Sequence, residues 1–386
     1  MSEGAGLVVF DAAAGQPLRR EVLQQMWPWL TGAGGNPSSV HELGRAARAT
    51  WDDAVERVGA ALGAAGQRIT ITSGATEADN LAIKGIMAAQ VAAGRSHVVI
   101  SAVEHSAVRE SAAWLGHHGV EVSICPVDAA GHLRQDALVD LVTEHTGLVS
   151  VGLASAEIGT VQQVPQIAAI AHARGAVVHT DAVQAVGSVP VRFDELGVDA
   201  LTLSAHKLGG PVGAGALITR WSTPIEAQLH GGGQQDGLRA GTQDVAAAIG
   251  LAAAVELAVA EQAAQPIEQS SALRDRLIDE VGRLVPQAML TGDPGIQRLP
   301  RHLSWCVPGV SGESLLVDLE ARGFLCSSGS ACAAGRDEPS PTLLALGIDA
   351  QAALGALRVT LPREATAAQA DGFAHALAEV LSCRVR

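Results

Sequence analysis

The chain has 386 residues, 48% of them hydrophobic, and a formal net charge of −14. That length is enough for a large core and two domains, and an acidic balance without clustered Lys and Arg argues against direct binding of nucleic acid. The start M-S-E-G-A-G lacks the basic stretch and apolar core of a signal peptide, and no apolar run is long enough to cross a bilayer uninterrupted, so a cytoplasmic protein without a membrane partner is expected.

Residues 7–10 read as a short strand followed by a turn. The stretch 34–48, rich in Gly, Asn, Pro and Ser, is turn chemistry leading into a helix that ends near Leu62. From Arg68 the periodicity alternates: strand 68–72, helix 77–93, strand 97–100, helix 106–117, strand 121–125, helix 135–144, strand 148–153, helix 167–174, strand 176–180, then a buried strand at 200–203. This rhythm predicts an α/β fold, a mostly parallel sheet with helices on both faces. The alanine-rich helix 244–264 is read as leading out of that large domain. After Pro266, helices at 271–284 and 365–381 separated by short strands predict a smaller α+β domain.

The five cysteines (Cys125, Cys306, Cys326, Cys332, Cys383) are odd in number and contain no C-x-x-C pair, so neither a disulfide framework nor a zinc site is expected. Cys125, Cys306 and Cys383 sit in apolar sequence and read as small buried hydrophobes. Cys332 is different, because its loop from Cys326 to Gly335 is rich in Ser and Gly, a composition that suits motion and solvent access.

Lys207 follows the strand at 200–203 and precedes a turn carrying Gly209, Gly210, Pro211 and Gly213. Ligands of open α/β sheets bind beyond the carboxyl ends of the strands, and a lysine there can bond a carbonyl cofactor. A snorkelling surface lysine is the alternative. His105 and Asp181 also follow strands, and each taken alone reads more readily as a helix cap than as a catalytic group. Together the three make the set that pyridoxal phosphate chemistry requires: an amine for the aldehyde, a flat ring to stack, a carboxylate for the ring nitrogen. S-G-A-T-E, Ser73 to Glu77, joins a strand to a helix and reads either as a phosphate cradle or as a tight turn with Thr76 as N-cap.

These segments, with G-N-P-S-S-V-H-E-L-G-R (Gly35 to Arg45), H-G-G-G-Q-Q-D-G-L-R-A-G-T (His230 to Thr242) and S-S-G-S-A-C (Ser327 to Cys332), occur in one order across nearly the whole chain. The chain thereby resembles the cysteine desulfurases, the NifS/IscS-like branch of the class V aminotransferase fold. The resemblance implies an aspartate aminotransferase-like, fold type I architecture, with a large domain over 16–262 and a small one over 1–15 and 263–386. It also implies conversion of L-cysteine to L-alanine with pyridoxal 5'-phosphate as cofactor. Lys207 would bond the cofactor aldehyde, Asp181 would pair with the ring nitrogen, Gln184 would bond the ring hydroxyl, and His105 would stack on the ring and move protons. Ala75, Thr76, Ser204 and His206 would hold the phosphate, with Thr242 reaching in from the second subunit of a homodimer. Arg358 would clamp the substrate carboxylate. Cys332 would take the sulfur as a persulfide and pass it to an acceptor protein, as in iron–sulfur cluster assembly, and its loop has the length of the IscS-like group. Cys326 would be a resolving thiol or a buried residue.

Two departures fall where the substrate should lie. The family has N-N-E-I-G where this chain has S-A-E-I-G, placing Ala156 at an asparagine position, and its D-N-A-A-T-T type of segment is here D-A-A-A-G-Q, Asp11 to Gln16. The expectation is a specialised or slower desulfurase. The alternative is a C–S lyase acting on a substituted cysteine or cysteine sulfoxide, with room made by Ala156.

Overall fold

The computed structural model describes residues 7–32, 34–329 and 338–384. Its strands are β1 (Val8–Val9), β2 (Arg68–Thr72), β3 (His97–Ser101), β4 (Glu121–Cys125), β5 (Thr146–Ser150), β6 (Val177–Asp181), β7 (Ala200–Ser204), β8 (Gly215–Thr219), β9 (Met289–Leu290), β10 (His302–Cys306), β11 (Phe324–Leu325) and β12 (Ala356–Thr360).

Seven of them form one sheet in the order β2-β8-β7-β6-β5-β3-β4. The neighbours from β7 through β4 are parallel, whereas β8 is antiparallel to both β7 and β2. The reversal has a local cause. The glycine-rich link between β7 and β8 is too short to hold a crossover helix, so the chain turns straight back. Because β8 reverses, β2 runs the same way as β7, and the carboxyl ends of β2, β3, β5, β6 and β7 share one edge. Strands β3, β5 and β7 are buried throughout, as expected of a sheet covered on both faces.

The helix expected over 77–93 is an α-helix (Ala75–Asn80), a π-turn (Leu81–Gly85) and a second α-helix (Ile86–Ala92) in succession. Gly85 allows that segment to pack against the chain at Glu226, whose carbonyl oxygen a Cβ would meet at 2.4 Å. The helix Arg20–Thr31, which carries Pro28 in its interior, has no counterpart among the sequence expectations. The alanine-rich helix is Val245–Ala264. It has the length and apolarity of a membrane span, yet Glu256 interrupts it and most of it is buried. Rather than leaving the large core it packs against the helices Arg20–Thr31 and Glu42–Ala61.

A second core gathers Phe10, Leu277, Leu303, Trp305, Leu319, Leu357, Phe373 and Leu377. It is built on the antiparallel strands β9-β10-β12 and the helices Ile267–Leu284 and Ala367–Arg384. Strand β1 pairs in parallel with β11, and Phe10 lies within 6.0 Å of Phe324 and 5.8 Å of Phe373, ring centre to ring centre. The N-terminal strand therefore belongs to the second core, while the helix from Arg20 joins the first.

Candidate active site

The shared edge of the strands assembles the side chains. Strand β7 ends at Ser204, and the chain makes a tight helical turn over His206–Leu208 that closes with Gly209 in the left-handed region (φ +76°). The turn holds Lys207 with its Nζ donating to the carbonyls of Ala13 (2.6 Å) and Ala14 (2.9 Å). Gln16 Nε2 donates back to the Lys207 carbonyl at 2.8 Å, and Gln184 Nε2 to Ala13 O at 3.2 Å. The segment Asp11–Gln16 is thus strapped over the lysine through its backbone. A cavity of about 100 Å³ adjoins it, lined in part by Ala13, Gln184, Lys207, His302 and Arg363.

Asp181 is the last residue of β6, and its Oδ1 accepts from the Val183 N–H at 2.8 Å. His105 caps the helix Ser106–His117, its Nδ1 accepting from the Ala107 N–H at 3.1 Å. Capping and placement are therefore not alternatives: the cap fixes the ring and leaves Nε2 as the nitrogen able to carry the proton. Ligand atoms of Asp79, His105 and Asp181 lie within 4.8 Å of one another. Burial raises the Asp181 pKa, while the Val183 N–H, His105 and Lys207 work against that rise. Burial lowers the His105 pKa, assisted by Lys207 and opposed by Asp181. The three groups feel one another, as a site built for proton movement requires.

On the β2 side, Ala75 and the exposed Thr76 open the helix after Gly74, whose φ of +151° only glycine adopts readily. Nothing stands within 4 Å of where a Cβ of Gly74 would be, whereas a Cβ on Gly215 would strike the Gly74 carbonyl carbon at 2.6 Å. The turn is open in front and pressed from behind. Ser204 Oγ and His206 Nδ1 are 2.7 Å apart beside it. Glu77 accepts from the Ser73 N–H (2.7 Å) and pairs with Arg239 (3.0 Å). Burial works to raise its pKa, but these bonds hold it below the usual carboxylate range. Gln235 occupies the free edge of β2, exchanging hydrogen bonds with the Ile71 N–H and carbonyl at 2.7 and 2.9 Å. Thr242 is exposed further along this loop.

Arg358, in β12, is 3% exposed. Its Nη2 donates to Asp11 Oδ1 at 2.8 Å and its Nη1 to the Ala156 carbonyl at 3.3 Å, leaving Nε buried without a hydrogen-bond partner. His302 Nε2 also meets the Ala156 carbonyl, at 2.9 Å. Position 156 therefore steers the arginine through its backbone, whatever its side chain. Ser327 is bridged to Arg358 through the backbone, and two residues on, a Cβ at Gly329 would stand 3.3 Å from the Glu157 carboxyl. Cys332 lies outside the described residues.

Sequence reasoning passed over Asp79, Glu104, Glu157 and His302. Glu104 is 4% exposed and accepts from the Gly152 N–H at 2.9 and 3.0 Å; burial pushes its pKa up to about 8. It immediately precedes His105 in the sequence. Cys125 and Cys306 are buried, and burial pushes both thiols up to about 12. Cys383 is exposed rather than buried, because it falls on the outer side of the terminal helix. Cys326 is half-buried with its thiol also pushed up to about 12 by burial and then by Asp11, which suits a packing residue and not a resolving thiol.

Residues 8–373 match the model of the aminotransferase class-V family. A cysteine desulfurase IscS of Dictyoglomus turgidum is 42% identical over 354 residues, which span 92% of this chain and 89% of that protein. Among solved structures, a NifS-like protein superposes with a TM-score of 0.89 at 34% identity, covering 98% of this chain and all of the other. An SspA solved in complex with cysteine superposes at 0.79 with 29% identity, covering 92% and 99%. With a lysine, a carboxylate and a histidine gathered at the strand ends, this chain belongs to the class-V aminotransferase family, among its IscS-type cysteine desulfurases.

Proposed function

We propose that the enzyme converts L-cysteine to L-alanine, with pyridoxal 5'-phosphate held at Lys207 and the sulfur leaving as a persulfide on Cys332. The observation that carries this reading is the convergence of Lys207, Asp181 and His105, mutually coupled in charge, at one end of the sheet. The residues present fit the cofactor: an open turn at Gly74 that a neighbouring glycine presses from behind, and an amine resting on backbone carbonyls.

When bound, the cofactor supplies an electron sink that makes the bond to the substrate's sulfur breakable. The protein's part is to hold and aim. Asp181 receives the ring nitrogen, Gln184 the ring hydroxyl, and Ala75, Thr76, Ser204 and His206 the phosphate. His105, with Nδ1 engaged by its helix, presents Nε2 for proton transfer. Arg358 receives the substrate carboxylate through its planar fork. Cys332 takes the sulfur and hands it to an acceptor protein, with iron–sulfur cluster assembly as the setting and the cytoplasm as the compartment.

A homodimer completes the site, with Thr242 serving the neighbouring subunit. The support is a set of large apolar side chains, close in sequence, that the single chain leaves exposed: Trp27 is 59% exposed, Leu30 56%, Val40 88% and Leu43 60%.

The test is the product from L-cysteine and a reductant. Alanine and sulfide in equal yield, lost in Cys332→Ser, is the expected result. Pyruvate and ammonia would point instead to the C–S lyase, which the small side chain of Ala156 favours.

A further inference from the structure

Behind Asp181 lies a row of polar side chains that cofactor and substrate do not account for. Ser150 on β5, His179 on β6, Thr202 on β7 and Asp79 on the covering helix are all 0% exposed. Ser150 Oγ is 2.9 Å from His179 Nδ1, and His179 Nε2 is 3.0 Å from Thr202 Oγ1 and 3.7 Å from Asp79 Oδ1. Neither Asp79 oxygen has a well-formed hydrogen bond; the Thr202 hydroxyl lends the carboxyl slight support. Yet this carboxyl stands within 4.8 Å of Asp181.

A buried carboxylate without a partner is among the costliest groups a protein can hold, and it avoids that cost by taking up a proton. The groups facing Asp79 make the choice. Asp181 repels a second charge, and Glu104 adds to this only where it ionises, near its raised pKa of about 8. His179, whose pKa burial pushes down to about 3, stays neutral and offers no counter-ion. His105 and Lys207 exert their pull on Asp181, which also holds the Val183 N–H. Two carboxyls this close share one charge, and it settles where the donors are. Burial first, and Asp181 second, drive the Asp79 pKa well above the usual range.

We propose that Asp79 is a neutral carboxylic acid throughout the working range, a positioning residue that fills the space behind Asp181 with a proton donor and leaves the pair's single negative charge on Asp181. A second charge there would overbalance the ring nitrogen and Lys207. The cofactor arm of the test below rests on the proposed role of Asp181; the other arms do not, so the two can fail separately.

Infrared spectra of the full-length protein carrying isotope-labelled aspartate are recorded between about pH 6 and about pH 8, where ordinary aspartates are ionised. An aspartic-acid C=O stretch that persists across this window and vanishes in Asp79→Asn is the expected result. No such band, or one that survives the substitution, overturns the proposal. Melting gives a second arm. An acid whose pKa is raised by folding contributes least at high pH, so above about pH 5 the wild-type folding constant should fall relative to Asp79→Asn by up to about tenfold per pH unit. A gap that is constant or reversed means the group is ionised in the fold. In the cofactor-bound protein the pH midpoint of the visible band should be the same in Asp79→Asn as in wild type; a shift of more than about one unit, beyond the ordinary scatter of side-chain pKa values, places a charge at position 79. Asp79→Ser, which fits the same space, repeats all three arms if the asparagine variant does not fold.

Discussion

Arg358 already has a carboxylate partner in Asp11 and a backbone partner at Ala156, so it is held rigidly before any substrate arrives. Its planar fork, and not merely its charge, should matter. Arg358→Lys is expected to raise the KM for cysteine roughly 10- to 100-fold, the loss of a charge-assisted hydrogen bond of about 1.5–3 kcal/mol, with a smaller change in kcat. Steady-state kinetics check this. Lys207→Ala should abolish turnover and the cofactor's visible band while changing the melting temperature of the cofactor-free protein only modestly, because hydrogen bonds such as those from the amine to the Ala13 and Ala14 carbonyls are each worth about 0.5–1.5 kcal/mol net. Ala156→Asn adds a side-chain amide without disturbing the carbonyl that Arg358 and His302 use. It should strengthen cysteine binding by about one neutral hydrogen bond, ~0.5–1.5 kcal/mol, and narrow the range of bulkier cysteine derivatives accepted. Unchanged KM and unchanged range would remove position 156 from the account of specificity.

At the scale of elements, the Gly74 turn, the proposed seat of the cofactor phosphate, depends on its contact with β8. Gly215 opens β8 opposite both Thr72 and Ser204, and its missing Cβ is what lets the Gly74 turn sit down on the sheet. Gly215→Ala must displace backbone rather than a flexible side chain. It should cost about 1–3 kcal/mol of stability, as overpacking does, and weaken cofactor binding because the turn is pushed outward. Thermal melting and cofactor titration read the two effects. The π-turn Leu81–Gly85 lies two residues after Asp79, between helices packed under the sheet, the kind of irregularity that often accompanies functional sites.

Over the whole molecule, acids buried at the strand ends tie stability to pH. Glu104 has a folded pKa near 8, against about 4.3 for a free glutamate. Its folded value is raised, so its stabilising contribution is complete below about pH 4 and is lost as pH rises toward 8. Glu104→Gln should flatten the decline of melting temperature across that window, by up to the weight of one proton, or about tenfold in folding constant per pH unit. The exposed apolar side chains of residues 27–43 make a second prediction at this scale. If the proposed homodimer uses these side chains, Trp27→Glu combined with Leu30→Glu should yield a monomer by sedimentation, with cofactor affinity reduced because the proposed reach of Thr242 into the second subunit is lost. A dimer that survives both substitutions would move the interface elsewhere.

The alternating periods of the chain, two in the strands and 3.6 in the helices, were sufficient to read the parallel sheet, and residues such as Lys207, His105 and Asp181 stood out because polar groups rarely follow buried strands so regularly. Motif order supplied the family. Four things were decided by tertiary structure. The helix Arg20–Thr31 forms despite Pro28 because its buried face, Val22 and Met26, packs on the alanine-rich helix, and local propensity does not contain that contact. That helix in turn stays with the large core because Glu42–Ala61 and Arg20–Thr31 cover its faces. Arg358 meets Asp11 across 347 positions of sequence, through a first strand that folds into the second core. Nothing in the local sequence distinguishes Asp79 from other polar residues of a helix; only the meeting of that helix with β6 and β7 strips it of water and sets it behind Asp181, because desolvation belongs to the packed molecule and to no segment of it.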